Sequence, residues 1–303
     1  MKSKKGQALL QSFMNNEKIF ENAKEELKKL GIKADSFEEI REKEGIALLR
    51  IKIGVKSFVF KYIENEKFQR ETEIYEMLSS LEVETIKVFA MTEKSILMDD
   101  IAESEKFRLG TKEDMSDPVV AKALAKWYRN LHFTGYGYIE EYGKDLYSEN
   151  ALITKENLAF VKEKTETADL PVWKIIENNF DKIESAIESL RETFNYNDFY
   201  YTNLIVAKDK SKAFMFDYNI FGKGPAVSDI NNVCWSLSDE AAEAFLLEYG
   251  RIDERETIIE DVAAVLSSLC LACQKEEFPE WAKELIDMLE NGFEEKIDEI
   301  LAL

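Results

Sequence analysis

Apolar and polar positions change rhythm several times along this 303-residue chain. Between residues 7 and 30, Leu9, Leu10, Phe13, Ile19, Phe20, Ala23, Leu27 and Leu30 recur at helical spacing and stop at Gly31. That spacing predicts one or two short amphipathic helices. From SFEEIREKEG through IALLRIKIGV to KSFVFKYI the pattern alternates or runs in short β-branched and aromatic stretches, with Gly45 and Gly54 between them. Three antiparallel strands joined by tight turns are expected there. A polar helix follows over Asn65 to Ser80, and then strands in TIKVFAMT and KSILMDD. Strands, one helix and further strands make a small α+β lobe, residues 1–100, whose first 30 residues are a helical extension.

From Pro118 the pattern turns helical. VVAKALAKWYRNLHF reads as an amphipathic helix, and VWKIIENNFDKIESAIESLRETF as a longer one. The stretch between them, Thr134 to Asp169, gives mixed signals and is expected to be rich in loops. A short strand pair, NLIVA and KAFMFDY, interrupts the helices near residues 203–218, and helices resume at about Asp229 and run to Leu303. A second lobe over residues 101–303 is therefore expected, mostly helical. No internal repeat or low-complexity tract is present.

Composition narrows the function classes. A hydrophobic share of 45%, with 19 Phe and 12 Tyr, supplies enough apolar surface for a packed core. Forty basic against 60 acidic side chains leave a formal charge of −20, which repels nucleic acid and anionic membrane surfaces. The same field keeps the protein soluble and would concentrate a cationic small molecule. No apolar run is long enough to span a bilayer, and no signal peptide is apparent, so a cytoplasmic protein is expected. Cys234, Cys270 and Cys273 are an odd set, and Cys270 and Cys273 lie in the apolar segment AAVLSSLCLACQ. Without a second CxxC or a nearby His they read as buried, reduced thiols. His132 is the only histidine, which excludes sites built on several.

The most informative stretch is NYNDFYYTNLIVAKDKSKAFMFDYN, Asn195 to Asn219. Asp198 is followed five residues later by Asn203, and Asp217 ends an apolar strand. Phosphoryl transfer needs a carboxylate at the acceptor hydroxyl, and oxygen donors that hold a magnesium ion against phosphate. A short loop and a hairpin can deliver these groups to one place. Lys61 sits in the apolar strand FVFKYI, an expensive place for an ammonium unless it reaches a partner. Glu71 follows on the predicted helix.

On these residues the chain resembles the aminoglycoside phosphotransferase and choline kinase family. The matching features are the strand lysine Lys61, the helix glutamate Glu71 in QRETEIYEML, the strand ending KSILMDD, and the helix ending Leu131-His132. D-x-x-x-x-N at Asp198 to Asn203, an aspartate at Asp217, and the segment Gly224-Pro225-Ala226-Val227-Ser228-Asp229 complete the set. The resemblance covers about residues 36–250. It implies a two-lobed, protein-kinase-like α+β fold and a phosphotransferase that moves the γ-phosphate of ATP, or GTP, onto a hydroxyl of a small molecule with Mg²⁺. By the same resemblance Asp198 would be the catalytic base, and Asn203 and Asp217 the metal ligands. Lys61, braced by Glu71, would hold the phosphates, and the backbone from Leu97 to Ile101, with Met98, Asp99 and Asp100, would meet the nucleotide base. Asp229 and His132 would be structural. About 60 residues separate His132 from the catalytic loop, which favours a small-molecule acceptor over a protein.

Three departures accompany the match. Tyr196-Asn197 stands where the family has His-Gly, with Asn the next best residue for a left-handed backbone. The turn Lys43-Glu44-Gly45 is no glycine-rich phosphate loop, and Tyr218-Asn219 follows the metal aspartate. A kinase-like module that binds nucleotide but has lost the chemistry at the altered loop is the alternative reading. A plain helical scaffold with chance matches is a second.

Overall fold

The structure, a computed structural model, describes residues 18–303. Positions 7–17 of the predicted N-terminal helices lie outside the described residues, and residues 18–29 are helical and form α1. Then come β1 (Ser36–Lys43), β2 (Ile46–Ile53), β3 (Lys56–Ile63), α2 (Glu71–Ser80), β4 (Val88–Thr92), β5 (Ser95–Asp99), β6 (Phe107–Leu109) and α3 (Pro118–Tyr142). The chain continues through α4 (Lys155–Lys164), α5 (Pro171–Glu188), β7 (Glu192–Asn195), β8 (Leu204–Ala207), β9 (Ala213–Met215) and β10 (Gly222–Pro225). It closes with α6 (Ala226–Ser236), α7 (Asp239–Tyr249), α8 (Glu254–Cys273), α9 (Lys283–Glu290) and α10 (Phe293–Ala302). Contacts divide it into two compact units, Met1–Trp127 with Tyr200–Ile220, and Tyr128–Phe199 with Phe221–Leu303. Of the three divisions along the chain, one falls inside α3, one between Asp198 and Asn203, and one after Ile220.

In the first unit the strands form an antiparallel sheet of order β1-β2-β3-β5-β4. Its first turn is tight because Glu44 and Gly45 both adopt positive φ, 56° and 79°. Two left-handed central residues match the twist of a hairpin. Alternation along β2 puts Ala47, Leu49 and Ile51 on one face. There they meet Phe60 and Tyr62 of β3, Leu97 of β5, and Ile19, Phe20, Ala23 and Leu27 of α1. Each large side chain buried in this way contributes about 1.5–3 kcal/mol, which seats α1 on the sheet. Helix α2 begins at Glu71 and not at Asn65, because Asn65 caps a separate single turn, Glu66–Phe68, by accepting from the Lys67 amide. A second, three-stranded sheet, β6-β8-β9, belongs to the same unit. The β8–β9 pair was legible in the sequence, whereas the three-residue β6 was not.

The second unit is mostly helical. Pro171 opens α5, a position where the missing N–H has no intrahelical partner to lose. The apolar face of α5, with Trp173, Ile176, Phe180 and Ile183, packs with Val262, Leu266 and Leu269 of α8 and Phe293, Ile297 and Ile300 of α10. Cys270 and Cys273 lie in this core as buried free thiols. The stretch expected to be rich in loops is half helix: α3 continues to Tyr142, and α4 occupies Lys155–Lys164. Gly135 and Gly137 resemble helix breakers in the sequence. Gly135 is instead a place of close approach, where a Cβ would stand 2.4 Å from the Phe194 amide nitrogen on β7. Packing overrides the poor helix propensity of glycine there. The long helix expected through Phe194 ends at Glu188, and Glu192–Asn195 form β7, which pairs antiparallel with β10, a strand not foreseen; the two carry the chain into and out of the segment that includes Asp198. Among the described residues no helix is long and apolar enough to cross a membrane.

Candidate active site

Lys61 lies at the centre of the first unit's sheet, opposite Leu48 on β2 and Ile96 on β5. Its side chain is buried, and its Nζ lies 2.5 Å from Glu71 Oε2, 2.6 Å from Asp217 Oδ1 and 3.3 Å from Asn219 Oδ1. Burial works against the ammonium, but the charges of Glu71 and Asp217 outweigh it and hold Lys61 above its ordinary range. Burial, helped by the Asp217 charge, pushes Glu71 up to about 7 against the pull of Lys61. Glu71 is in the first turn of α2, where a helix N-terminus favours negative charge. Three of the residues singled out from the sequence are thus in direct contact.

The β8–β9 hairpin places the next pair. Asn203 ends a single turn, Tyr201–Asn203, just before β8, and its carbonyl accepts the Phe216 amide at 3.0 Å, one residue before Asp217. Asp217 has a left-handed backbone, φ 68°. An amide oxygen from Asn203 and a carboxylate from Asp217 are hard donors of the kind Mg²⁺ takes when phosphate oxygens and water complete its shell. The donor set therefore suits magnesium. Among the described residues there is no group of three or more His, Cys, Asp or Glu that could hold a metal.

Met98 is buried in β5, opposite Val59 and Val88, and the Asp99 amide donates to the Lys87 carbonyl. The buried carboxylate of Asp100 accepts from Arg50 Nε at 2.7 Å and Ser57 Oγ at 2.6 Å. It also caps the turn Ile101–Glu103 through the Ala102 amide. Its side chain is engaged in holding strand ends together.

Asp198 belongs to the second unit and is half-buried. The backbone before it is gripped by Asp229, whose Oδ2 accepts the Tyr196 amide at 2.8 Å and whose Oδ1 accepts the Asn197 amide at 3.1 Å. Asn197 has φ 65°, so the residue in place of the family's glycine does adopt the left-handed conformation. Asn232 of α6 adds a bond to the Asn197 carbonyl. His132 is fully buried between Asp229 Oδ2, 3.2 Å from its Nε2, and the Tyr249 hydroxyl, 2.8 Å from its Nδ1. Its carbonyl accepts Thr193 Oγ1 at 2.6 Å, tying α3 to β7. Asp229 thus bonds back to the loop before Asp198, and His132 is held between Asp229 and Tyr249.

Two further carboxyl groups near Asp229 escaped the sequence reading. Glu149 is pushed up to about 7 by burial and by the negative charges of Asp229 and Asp198. Glu260 of α8 is 1% exposed, and its Oε2 is buried without a hydrogen-bond partner among the described residues. Burial pushes Glu260 up to about 8, Ser228 pulls it down by hydrogen bonding, and Glu149, Asp261 and Asp229 push it further. Glu149 sits in the stretch read as loops and carried no signal. Glu260, followed directly by Asp261, lies between buried Ile259 and Val262 of α8. Tyr75, four residues after Glu71 and therefore on the same helix face, was legible in principle.

Several solved structures share this fold. Choline kinase LicA from Streptococcus pneumoniae matches with a TM-score of 0.61 at 12% identity, over 91% of this chain and 98% of that one. Macrolide 2'-phosphotransferase MphH from Brachybacterium faecium matches with 0.61 at 15%, over 88% and 97%. The Plasmodium vivax ethanolamine kinase Pv091845 matches with 0.57 at 15%, over 86% and 84%. No protein-family model and no curated protein matches the sequence. The chain has the α+β kinase-like fold of these phosphotransferases, with an antiparallel sheet in one unit and a mostly helical second unit.

Proposed function

We propose that this protein is a small-molecule kinase that transfers the γ-phosphate of ATP, or GTP, to a hydroxyl of its acceptor. The observation that carries this reading is the buried contact of Lys61 with both Glu71 and Asp217, at 2.5 and 2.6 Å. A lysine in the middle of a sheet, held charged by two carboxylates, is an ammonium kept ready for an anionic ligand. Its three donors can turn from Asp217 to phosphate oxygens while Glu71 retains it. The fold shared with choline and ethanolamine kinases and a macrolide phosphotransferase supports the same reaction.

The roles divide among named residues. Asn203 and Asp217 hold Mg²⁺, which when bound neutralises phosphate charge. Lys61 binds the phosphates and Glu71 orients Lys61. The β5 end, Met98 to Asp100, flanks the nucleotide base, so that the first hundred residues serve the nucleotide, while residues 101–303 carry the metal ligands, the catalytic loop and the acceptor site. Asp198 orients the acceptor hydroxyl and accepts its proton. Most of the rate in such a site comes from positioning and from fixed charges, with little covalent work for the protein.

Two observations favour a cationic acceptor. The chain carries a formal charge of −20, and Glu149 lies within electrostatic reach of Asp229 and Asp198. An ammonium near Asp198 would favour ionised Glu149 and relieve the repulsion. Two of the structural neighbours are named for amino alcohols, choline and ethanolamine.

The test is a γ-phosphate transfer screen over choline, ethanolamine, aminoglycosides, macrolides and neutral sugars, with Asp198→Asn beside it. We expect a cationic acceptor to turn over, and the variant to lose at least about two orders of magnitude in kcat. Full activity in the variant would remove Asp198 from its role. Nucleotide-dependent thermal stabilisation with no turnover on any acceptor would instead favour a binding module impaired at Tyr196-Asn197.

A further inference from the structure

Asp217 keeps a conformation that a residue with a Cβ adopts at some expense. At φ 68° it lies in the left-handed region, where crowding of Cβ disfavours most side chains. Two side chains of α2 hold this stretch of backbone. The Asp217 amide donates to the Tyr75 hydroxyl at 3.3 Å, and the next amide, that of Tyr218, donates to Glu71 Oε1 at 3.2 Å. Glu71 and Tyr75 are one turn apart on α2, so one helix face meets two successive amides. Glu71 also takes the Lys61 ammonium with its other oxygen.

The surroundings fix the position of Tyr75. It is 1% exposed, and its ring meets the Tyr218 ring edge-on, with centroids 4.9 Å apart and planes at 72°. The Tyr218 hydroxyl donates to the Met215 carbonyl at 2.8 Å and lies 2.9 Å from Thr85 Oγ1, whose own hydroxyl can donate to it. An aliphatic or phenylalanine side chain at position 75 would supply the packing. The hydroxyl adds to that packing an acceptor for the amide of Asp217.

We propose that Tyr75 is a positioning residue, whose hydroxyl fixes the backbone of Asp217 so that its carboxylate is presented to the metal. This rests on the reading of Asp217 as a magnesium ligand. The orientation of α2 then reaches the metal site by two routes, through Glu71 to Lys61 and through Tyr75 to Asp217. A merely structural tyrosine would influence stability but not metal dependence.

The experiment compares wild type, Tyr75→Phe, Asp217→Asn and Thr85→Val by calorimetric titration of ATP with and without Mg²⁺, alongside thermal melting. Loss of one hydrogen bond of this kind should reduce the Mg²⁺-dependent gain in ATP affinity roughly fivefold in Tyr75→Phe. Metal-free ATP binding should stay unchanged. Thr85→Val, which disturbs the same core through Tyr218, should lower the melting temperature and leave the Mg²⁺ gain intact. Should phenylalanine fail to fold, Tyr75→Met fills the site without an acceptor and carries the same expectation. A wild-type Mg²⁺ gain in the position-75 variant, with the gain lost in Asp217→Asn, overturns the role of Tyr75 alone. A gain that survives in Asp217→Asn overturns the metal reading beneath it.

Discussion

Asp229 holds the left-handed backbone of Asn197, accepting its amide at 3.1 Å while a second oxygen takes the amide of Tyr196 at 2.8 Å. This grip fixes the loop immediately before Asp198 and explains how a residue other than glycine is tolerated there. The asparagine bears a conformation at φ 65° that glycine would adopt freely.

Asn197→Gly should therefore fold with stability within about 1 kcal/mol of wild type, because relief of strain offsets the greater freedom of the unfolded chain. Asn197→Val should lose roughly 1–2 kcal/mol, since a β-branched side chain is disfavoured in the left-handed region. Urea denaturation of the three proteins decides the matter. Equal stability for the glycine and valine variants would mean that the left-handed conformation is not what position 197 demands.

Lys61 and Glu71 form a second dependence between buried groups. Removing one partner leaves a charge in the core, which usually costs about 3–5 kcal/mol, whereas removing both can be close to neutral. Asp217 stays beside Lys61 when Glu71 is lost, so Glu71→Leu should fall at the lower end, about 3 kcal/mol. The double variant Lys61→Met, Glu71→Leu should be less destabilised than the sum of the single changes, and neither single variant should be stabilised by ATP with Mg²⁺. A strictly additive cycle would show that the contact carries no coupling energy.

The sequence made the first unit legible because its strands alternate cleanly and its turns carry glycine at positions 45 and 54. Lys61 stood out because a lysine in an apolar strand needs a partner, and Asp198, Asn203 and Asp217 stood out by spacing. What could not be read depended on tertiary contact. Gly135 sits inside α3 because β7 stands too close there for a Cβ. The strands β7 and β10 are four residues each, too short to show a period, and their pairing spans a gap in sequence that no local pattern reports. Glu149 and Glu260 are ordinary acids in the sequence. Only their common burial near Asp229 makes them unusual. Met98 and Asp100 show the opposite difficulty, because a strand end chosen for its place in the motif also carries side chains engaged in packing and capping.

The carboxyl groups of the second unit give stability a distinct pH dependence. Glu260 is held near 8 in the folded protein, by burial first and then by Glu149, Asp261 and Asp229, and an unfolded glutamate titrates near 4.3. Between those values the folded state binds more protons than the unfolded state, so this group makes the protein less stable as pH rises from about 4.3 to about 8. Below that window both states are protonated and the effect vanishes. Glu149 acts with the same sign up to about 7. Carboxylates paired with cations elsewhere act oppositely, mainly below pH 4, so the variant is to be compared with wild type at each pH. Glutamine at position 260 keeps the shape and removes the charge. Glu260→Gln should match wild type near pH 4.5 and exceed it at pH 8.5 by on the order of 5 kcal/mol. Denaturation curves at pH 4.5, 6.5 and 8.5 measure the difference, and a gap that does not widen with pH would mean that Glu260 is ionised in the folded protein at no unusual cost.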